Sequence, residues 1–167
     1  MILSDGDIAR ELQKGSLRVI PCNDEDIQPC SIDLHLGKEL MTVSGKRIDI
    51  REDSYHLKPH EFVLGATEEY VEIPNYLCGQ VDGRSSIARL GVSVHQTGGY
   101  IDAGYRGNIT LEIYNASDKP FELFLGDSIC QIIFHVLSSE CKRPYGTLGS
   151  KYQDSEGVVR SKYVGQR

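Results

Sequence analysis

The residues best suited to chemistry stand in one segment near the middle of the chain, Gly83-Arg-Ser-Ser-Ile-Ala-Arg-Leu-Gly91. Two serines occupy a predicted helix start, where backbone N–H groups lack intrahelical partners and attract anions. Arg84 and Arg89 flank the serines, and a planar guanidinium can donate two hydrogen bonds to one phosphate. The segment predicts an anion site, but a capped helix that carries surface arginines explains it equally well.

A glycine-rich segment follows, Thr97-Gly-Gly-Tyr-Ile-Asp-Ala-Gly-Tyr-Arg-Gly107. Its four glycines in eleven residues would let the backbone approach a ligand closely. Asp102 could accept a hydrogen bond from a sugar hydroxyl or hold a water molecule. An ordinary turn aspartate is the competing interpretation.

The third candidate is Glu112, which lies in the alternating stretch Asn108-Ile-Thr-Leu-Glu-Ile-Tyr114. Alternation places Thr110 and Glu112 on one face of a strand and Leu111 on the other. Most such glutamates lie on a solvated sheet face. A glutamate in a closed cavity instead has a raised pKa and can transfer protons near neutral pH, and the sequence leaves both interpretations open.

The histidines and cysteines lack the signature of the zinc deaminases. The pattern H-x-E with P-C-x-x-C is missing. The five cysteines form no C-x-x-C pair, so we interpret them as reduced thiols. We therefore expect no protein-bound zinc.

The elements that must position these residues are mostly short strands. Ser4 to Lys14 is the exception, a predicted helix that Ser4 can cap and Gly15 can end. Beyond it, runs with a period of two predict strands at 31–36, 61–67, 70–73, 108–114 and 128–136. Only the 83–91 segment interrupts them, with enough helical character for two turns.

This pattern predicts one mainly β domain over residues 1–167, a barrel or sandwich with a short N-terminal helix and a short helix after the strand region 78–83. From Lys142 onward the apolar pattern ends, and composition favours a disordered tail. The alternative is a flexible lid over residues 142–167 that closes on a ligand, since lysine, tyrosine and glutamine suit phosphate and base contacts.

Charge and hydropathy limit the partners. A net charge of −6 argues against nucleic acid, whereas a small anion needs only a few well-placed cations. The first residues lack the basic region of a signal peptide, and no apolar run approaches the length of a membrane span. We expect a cytoplasmic protein that binds neither nucleic acid nor membrane.

Taken together, the motifs resemble the dCTP deaminase family, which shares a trimeric β fold with dUTPases. Ile27-Gln-Pro-Cys-Ser-Ile-Asp-Leu-His-Leu-Gly37 is similar to the family's QPASVDLRLG. The resemblance continues through residues 83–91, 101–107, 109–112 and Gly149-Ser-Lys-Tyr-Gln153. It implies a distorted β-barrel or jelly-roll of the dUTPase-like (β-clip) type, assembled as a homotrimer with sites at the subunit interfaces.

The resemblance also implies roles for single residues. Glu112 would shuttle protons, while Ser85 and Arg89, contributed across a subunit boundary, would help to position the water and the base. Asp102 would hold the deoxyribose. The other expected substrate contacts are Arg84, Ser86, Ile87, Ala88, Thr110, Leu111, Gln131, Tyr145, Lys151 and Ser155.

The implied reaction is hydrolytic deamination of dCTP at C4 of cytosine. Mg²⁺ would arrive on the triphosphate of the substrate rather than on protein ligands, and dTTP is a candidate feedback inhibitor. One branch of the family releases dUTP, and another also cleaves the triphosphate to give dUMP and diphosphate.

The segment before Asp102 bears on the choice of branch. Deaminase-only members carry a motif similar to TAHRID, and dual-function members carry TAGWID or TAGFID. Thr97-Gly-Gly-Tyr-Ile-Asp102 resembles the second type, so Gly99 and Tyr100 predict the dUMP-forming activity. A glycine at position 99 would leave space for a water molecule near the α-phosphate.

Two positions depart from the family pattern. Gly98 stands where the family has alanine, and Ser155 stands where KYQGQ has its second glutamine, with Gln166 as a candidate substitute. A monofunctional dCTP deaminase that releases dUTP is the first alternative. A plain dUTPase would carry a different tail motif, and a non-catalytic nucleotide sensor would have lost the glutamate or the arginines.

Overall fold

Antiparallel strands dominate the computed structural model, which describes residues 1–147 and 149–163. The helical elements are α1 (Asp5–Lys14), a 3₁₀ turn (Asp24–Asp26) and α2 (Ser85–Ala88). The strands are β1 (Arg18–Ile20), β2 (Ile27–Gln28), β3 (Ser31–His35), β4 (Glu39–Thr42), β5 (Arg47–Asp49), β6 (Tyr55–Leu57), β7 (Phe62–Glu72), β8 (Leu77–Gly83), β9 (Val92–Ser93), β10 (Tyr100–Ile101), β11 (Arg106–Asn115), β12 (Phe121–Leu123) and β13 (Ser128–Val136).

The strands form two sheets and a ribbon that share one core. The first sheet has the order β5-β4-β7-β11-β9, with β1 also paired to β7, and the second has the order β10-β8-β13-β3-β2. The ribbon pairs β12 with β6. Apolar side chains from both sheets, such as Leu34, Leu111 and Phe134, lie fully buried in one cluster. The predicted mainly β class is confirmed, with the described strands paired as open sheets and a ribbon, not as one closed barrel.

Helix α1 forms as predicted. The Ser4 hydroxyl accepts a hydrogen bond from the Asp7 N–H at 3.3 Å, and Gly15 ends the helix in the left-handed region at φ +70°. Ile8 is fully buried, so the apolar face of the helix packs on the core.

Two predicted elements differ from the structure. The runs at 61–67 and 70–73 are one strand, β7, because its pairing with β11 continues past the polar residues between the runs. The pairing register shifts between Asn108 and Thr110 of β11, as at a β-bulge. There Thr67 Oγ1 accepts the Ile109 N–H at 3.0 Å. Helix α2 has one turn instead of two, since the chain reverses at Gly91, whose φ is +84°.

Glu11 connects α1 to the body of the domain. Its carboxylate accepts hydrogen bonds from Ser16 Oγ at 2.6 Å, Tyr76 Oη at 2.5 Å and Lys14 Nζ at 2.9 Å. The Ser16 hydroxyl, followed by that of Tyr76, lowers the pKa of Glu11 from 4.5 to about 2. The ionised form is therefore the one that the folded protein favours.

Because the folded pKa of Glu11 lies below the unfolded one, this contact stabilises the fold above about pH 4.5 and is lost as the pH falls toward 2. We expect Glu11→Gln to lower the free energy of unfolding by about 1–2 kcal/mol at neutral pH. The difference should shrink steadily below pH 4.5 in urea titrations. Glu25→Gln, at an exposed glutamate, is the control. A deficit of Glu11→Gln that is the same in acid as at neutral pH would contradict this account.

Candidate functional site

A cavity of ≈ 1000 Å³ opens beside the polar face of β11. Its lining comes from β4 and the turn after it, the start of β7, the 96–98 loop, β10, β11 and the tail. Apolar side chains of Met41, Phe62, Leu64 and Ile101 form part of the wall. A space of this size, apolar with a few polar groups, suits a small organic ligand.

Glu112 lies half-buried in this cavity, opposite Leu64 of β7. Its Oε2 accepts the N–H of Gln96 at 2.9 Å, and its own N–H donates to Val94 O at 2.9 Å. A Cβ on Gly98 would lie 3.2 Å from Glu112 Oε1, so the loop passes tightly over the carboxylate. An alanine at this position would require the carboxylate to move by a few tenths of an ångström.

Five other predicted site residues lie in the same cavity: Tyr100, Asp102, Thr110, Tyr145 and Ser155. Thr110 Oγ1 accepts the N–H of Val159 at 3.2 Å, and Asp102 is exposed at the end of β10. The ring of Tyr145 packs at 55° to that of Tyr105, with 5.7 Å between the centroids. The side chain of Leu111, expected to contact the substrate, faces the core instead and is 1% exposed.

Arg84 and Gln131 lie together on the second sheet and do not line the cavity. Arg84 Nη1 donates to Asp33 Oδ2 at 2.7 Å and also contacts the Ser128 hydroxyl. Gln131 accepts a hydrogen bond from Ser31 Oγ at 2.8 Å. Burial raises the pKa of Asp33, and the Arg84 guanidinium opposes that rise.

Helix α2 lies with this second group. Ser85, Ser86, Ala88 and Arg89 are exposed on it, Ile87 is half-buried, and none of them lines the cavity of the same chain. The structure therefore brings the predicted residues together as two separate groups, a carboxylate cavity and an arginine–serine surface.

The tail is docked on the domain over its described part. Val158 is 1% exposed and packs with Met41 and Ala66. The Gly157 N–H donates to Asn108 Oδ1 at 3.0 Å, which fixes the tail along β11. Lys151 is exposed and does not line the cavity, while Gln166 lies outside the described residues. That the tail acts as a flexible lid remains a prediction.

Gly99 packs closely against β8. A Cβ there would lie 2.7 Å from Val81 O, and the Val81 N–H donates to Gly99 O at 2.7 Å. β8 and the His95 ring therefore occupy the direction in which a side chain would point. That Gly99 leaves space for a water molecule near the α-phosphate remains a prediction. Tyr100 does line the cavity, with its hydroxyl 2.9 Å from Cys78 Sγ.

The sequence did not indicate several residues of the cavity, notably Tyr105, Tyr152 and Arg160. Tyr105 is buried and donates to Asn108 O at 2.8 Å; burial raises its pKa well above the usual range. Its place in the glycine-rich segment was a usable indication. Tyr152 and Arg160 lie in the tail, where no periodic pattern marks the inward-facing side chains.

Within residues 1–147 and 149–163, no three His, Cys, Asp or Glu side chains are grouped so as to hold a metal ion. The helices of the same ranges include none that is long and apolar enough to cross a membrane.

Comparisons with known proteins agree on one family. Residues 2–137 match the family model described as dCTP deaminase-like. A protein of Dictyoglomus thermophilum named "dCTP deaminase, dUMP-forming" is 43% identical over 97% of this chain and 94% of its own. A Natronomonas pharaonis protein named "dCTP deaminase" is 41% identical over 100% of this chain and 97% of its own.

Solved structures support the fold. The 2'-deoxycytidine 5'-triphosphate deaminase of Agrobacterium tumefaciens matches with a TM-score of 0.70 at 22% identity, over 81% of this chain and 48% of that longer chain. A dUTPase of phage phi11, described with a structural Mg(II) ion, matches with a TM-score of 0.52 at 17% identity over 80% of this chain and 99% of its own.

The docked tail gives a prediction about Val158. Val158→Ala removes apolar contact with Met41 and Ala66, and we expect hydrogen exchange at the Gly157 and Val159 amides to become about tenfold faster. The amides of central β11 should be unaffected. Val43→Ala, at a 74% exposed valine, is the control. Equal exchange rates in the wild type and Val158→Ala would show that this side chain does not hold the tail.

Proposed function

The chain belongs to the dCTP deaminase-like family, and we propose on that premise that it hydrolyses dCTP to dUMP, ammonia and diphosphate. The observation that carries the proposal is the half-buried Glu112 carboxylate, held by a backbone N–H in a cavity of ≈ 1000 Å³. The relatives named dUMP-forming and those named only dCTP deaminase are equally similar to the chain, at 43% and 41% identity. The Thr97-Gly-Gly-Tyr-Ile-Asp102 motif therefore supports the dUMP-forming branch where overall identity does not discriminate.

In the deamination step, water adds to C4 of cytosine and Glu112 takes its proton. The same carboxyl passes that proton to N3, then takes the proton of the new C4 hydroxyl and gives it to the departing amine, so that ammonia leaves and the C4 carbonyl of uracil forms. Thr110 lies on the same face of β11, and its oxygen accepts the Val159 N–H, which leaves its own O–H available to the base. A second water then attacks the α-phosphate of dUTP to give dUMP and diphosphate.

Sugar recognition falls to residues at the end of β10. Asp102 lines the cavity and is exposed, so its carboxylate can accept a hydrogen bond from a deoxyribose hydroxyl. Tyr105 and Tyr145, with their packed rings, provide a wall against which the sugar can lie.

The phosphate side of the site requires a neighbouring subunit. In one chain Ser85, Ser86 and Arg89 are exposed and stand apart from the Glu112 cavity. A homotrimer would let α2 of one subunit complete the cavity of the next, which explains why exposed polar residues and an incomplete cavity occur together.

Mg²⁺ is proposed as part of the substrate, bound to the triphosphate oxygens. Carboxylates near the cavity are few, and no three metal-binding side chains gather among the described residues, so the donor set does not suit an ion held by the protein alone. dTTP, with the same sugar and phosphates, is proposed as a competing ligand of this site.

The direct test is incubation with dCTP and Mg²⁺, followed by separation of dUTP, dUMP, ammonia and diphosphate. We expect dUMP, ammonia and diphosphate in equal amounts. Glu112→Gln should lower kcat by about a hundred- to ten-thousand-fold and still bind dCTP, because only proton transfer is lost. Glu140→Gln, at an exposed glutamate, is the matched control.

Each other outcome identifies an alternative. dUTP as the sole nucleotide product would indicate a monofunctional deaminase. Hydrolysis of dUTP without release of ammonia from dCTP would indicate a dUTPase, and binding without any turnover would indicate a sensor. Undiminished ammonia release by Glu112→Gln would refute the role of that carboxylate.

Mixing two inactive variants tests the shared site. Arg89→Ala and Glu112→Gln subunits, unfolded and refolded together at equal concentration, should recover activity in about a quarter of the sites, since random pairing joins an intact Arg89 to an intact Glu112 at that frequency. Each variant refolded alone should stay inactive. A mixture as inactive as its components would place both residues in one subunit's site.

A further inference from the structure

Arg160 is the one lysine or arginine among the described residues that line the Glu112 cavity. The cavity lining also carries two carboxylates, Glu112 and Asp102. A nucleoside triphosphate that enters this space brings several negative charges close to both, which is unfavourable unless a cation lies nearby. The position of Arg160 is therefore significant for the charge balance of the occupied cavity.

The backbone just before Arg160 is held in place, and its exposed side chain lies near the turn between β4 and β5. Immediately before this residue, the Val159 N–H donates to Thr110 Oγ1 at 3.2 Å and Val158 is buried. The guanidinium lies over the turn between β4 and β5, where a Cβ on Gly45 would be 3.3 Å from Arg160 Nη2. Gly45 has a φ of +89°, so this position favours glycine and leaves room for the guanidinium.

Several other polar side chains of the tail make hydrogen bonds within the tail itself. The Ser155 hydroxyl donates to Tyr152 O at 2.6 Å, and Tyr152 Oη accepts the Lys162 N–H at 3.0 Å. Lys151, which the family resemblance assigns to the phosphates, is exposed and outside the cavity lining, while its carbonyl oxygen accepts from Lys162 Nζ. Among the described residues of the tail, Arg160 is the cation that lines the cavity.

We propose that Arg160 binds the phosphates of the bound nucleotide and is the tail cation that selects a triphosphate over a monophosphate. The proposal rests on the function proposed above, because it takes the cavity to be a nucleotide site. A guanidinium can donate two parallel hydrogen bonds to phosphate oxygens, so its loss weakens triphosphate binding more than monophosphate binding. Arg160 is a binding residue and takes no part in proton transfer.

The test compares dCTP and dCMP binding by calorimetry, together with steady-state kinetics on dCTP, for Arg160→Gln, Arg160→Lys and the wild type. We expect Arg160→Gln to raise the Kd and KM for dCTP about tenfold, with kcat and the Kd for dCMP within about twofold of the wild type. Arg160→Lys should recover part of the loss, since it keeps the charge but not the paired donors. Lys46→Gln, an exposed cation in the same turn but outside the cavity lining, is the matched control.

The outcomes separate the two proposals. If the wild type deaminates dCTP and Arg160→Gln leaves its KM unchanged, the Arg160 proposal is overturned and the proposed function stands. If the wild type binds dCTP without releasing ammonia, the proposed activity fails, and the calorimetry still decides the role of Arg160. The proposal would also be overturned if Lys151→Gln raised the KM for dCTP and Arg160→Gln did not. Equal losses of dCMP and dCTP affinity in Arg160→Gln would overturn it as well, and so would the absence of any nucleotide binding by the wild type.

Discussion

The hydrogen bond from the Gln96 N–H to Glu112 Oε2, 2.9 Å long, is the interaction on which the candidate site depends. It draws the 94–98 loop across the carboxylate, and the bond from the Glu112 N–H to Val94 O holds the same loop to β11. Glycine at position 98 lets the loop pass without a side chain against Oε1. A carboxylate held by a backbone N–H keeps its direction without depending on flexible side-chain partners, as the proton transfer proposed for Glu112 requires.

The division of the polar residues into two groups bears on the proposed homotrimer. One group surrounds Glu112, and the other, with Arg84, Gln131 and α2, lies on the second sheet. Within a chain, Arg84 is already paired with Asp33, so its contribution to an anion site depends on competition with that carboxylate. Arg89 is exposed on α2, a position that suits the contact proposed for it with a neighbouring subunit.

Local sequence patterns predicted the elements whose formation depends on neighbouring residues. The capped helix at Asp5–Lys14 and the alternation of β11 were predicted because caps and period-two burial follow directly from residue type. The continuity of β7 and the single turn of α2 were not, since they arise from pairing with distant strands and from a backbone reversal. In the site, the family resemblance placed Glu112, Asp102 and Thr110 around one ligand, which local patterns alone did not. Arg160 and Tyr152 were missed because a segment without periodicity gives no sign of which side chains turn inward.

The tight crossing of Gly99 over β8 has a consequence for substitution at this position. With Val81 O only 2.7 Å from where a Cβ would stand, any side chain at position 99, such as the histidine of the TAHRID pattern, requires a different path for the loop or for the strand. Because β8 pairs with both β10 and β13, a shift of β8 would be passed to strands on either side of it. The residue at position 99 is therefore constrained by the sheet beneath it, independently of any ligand.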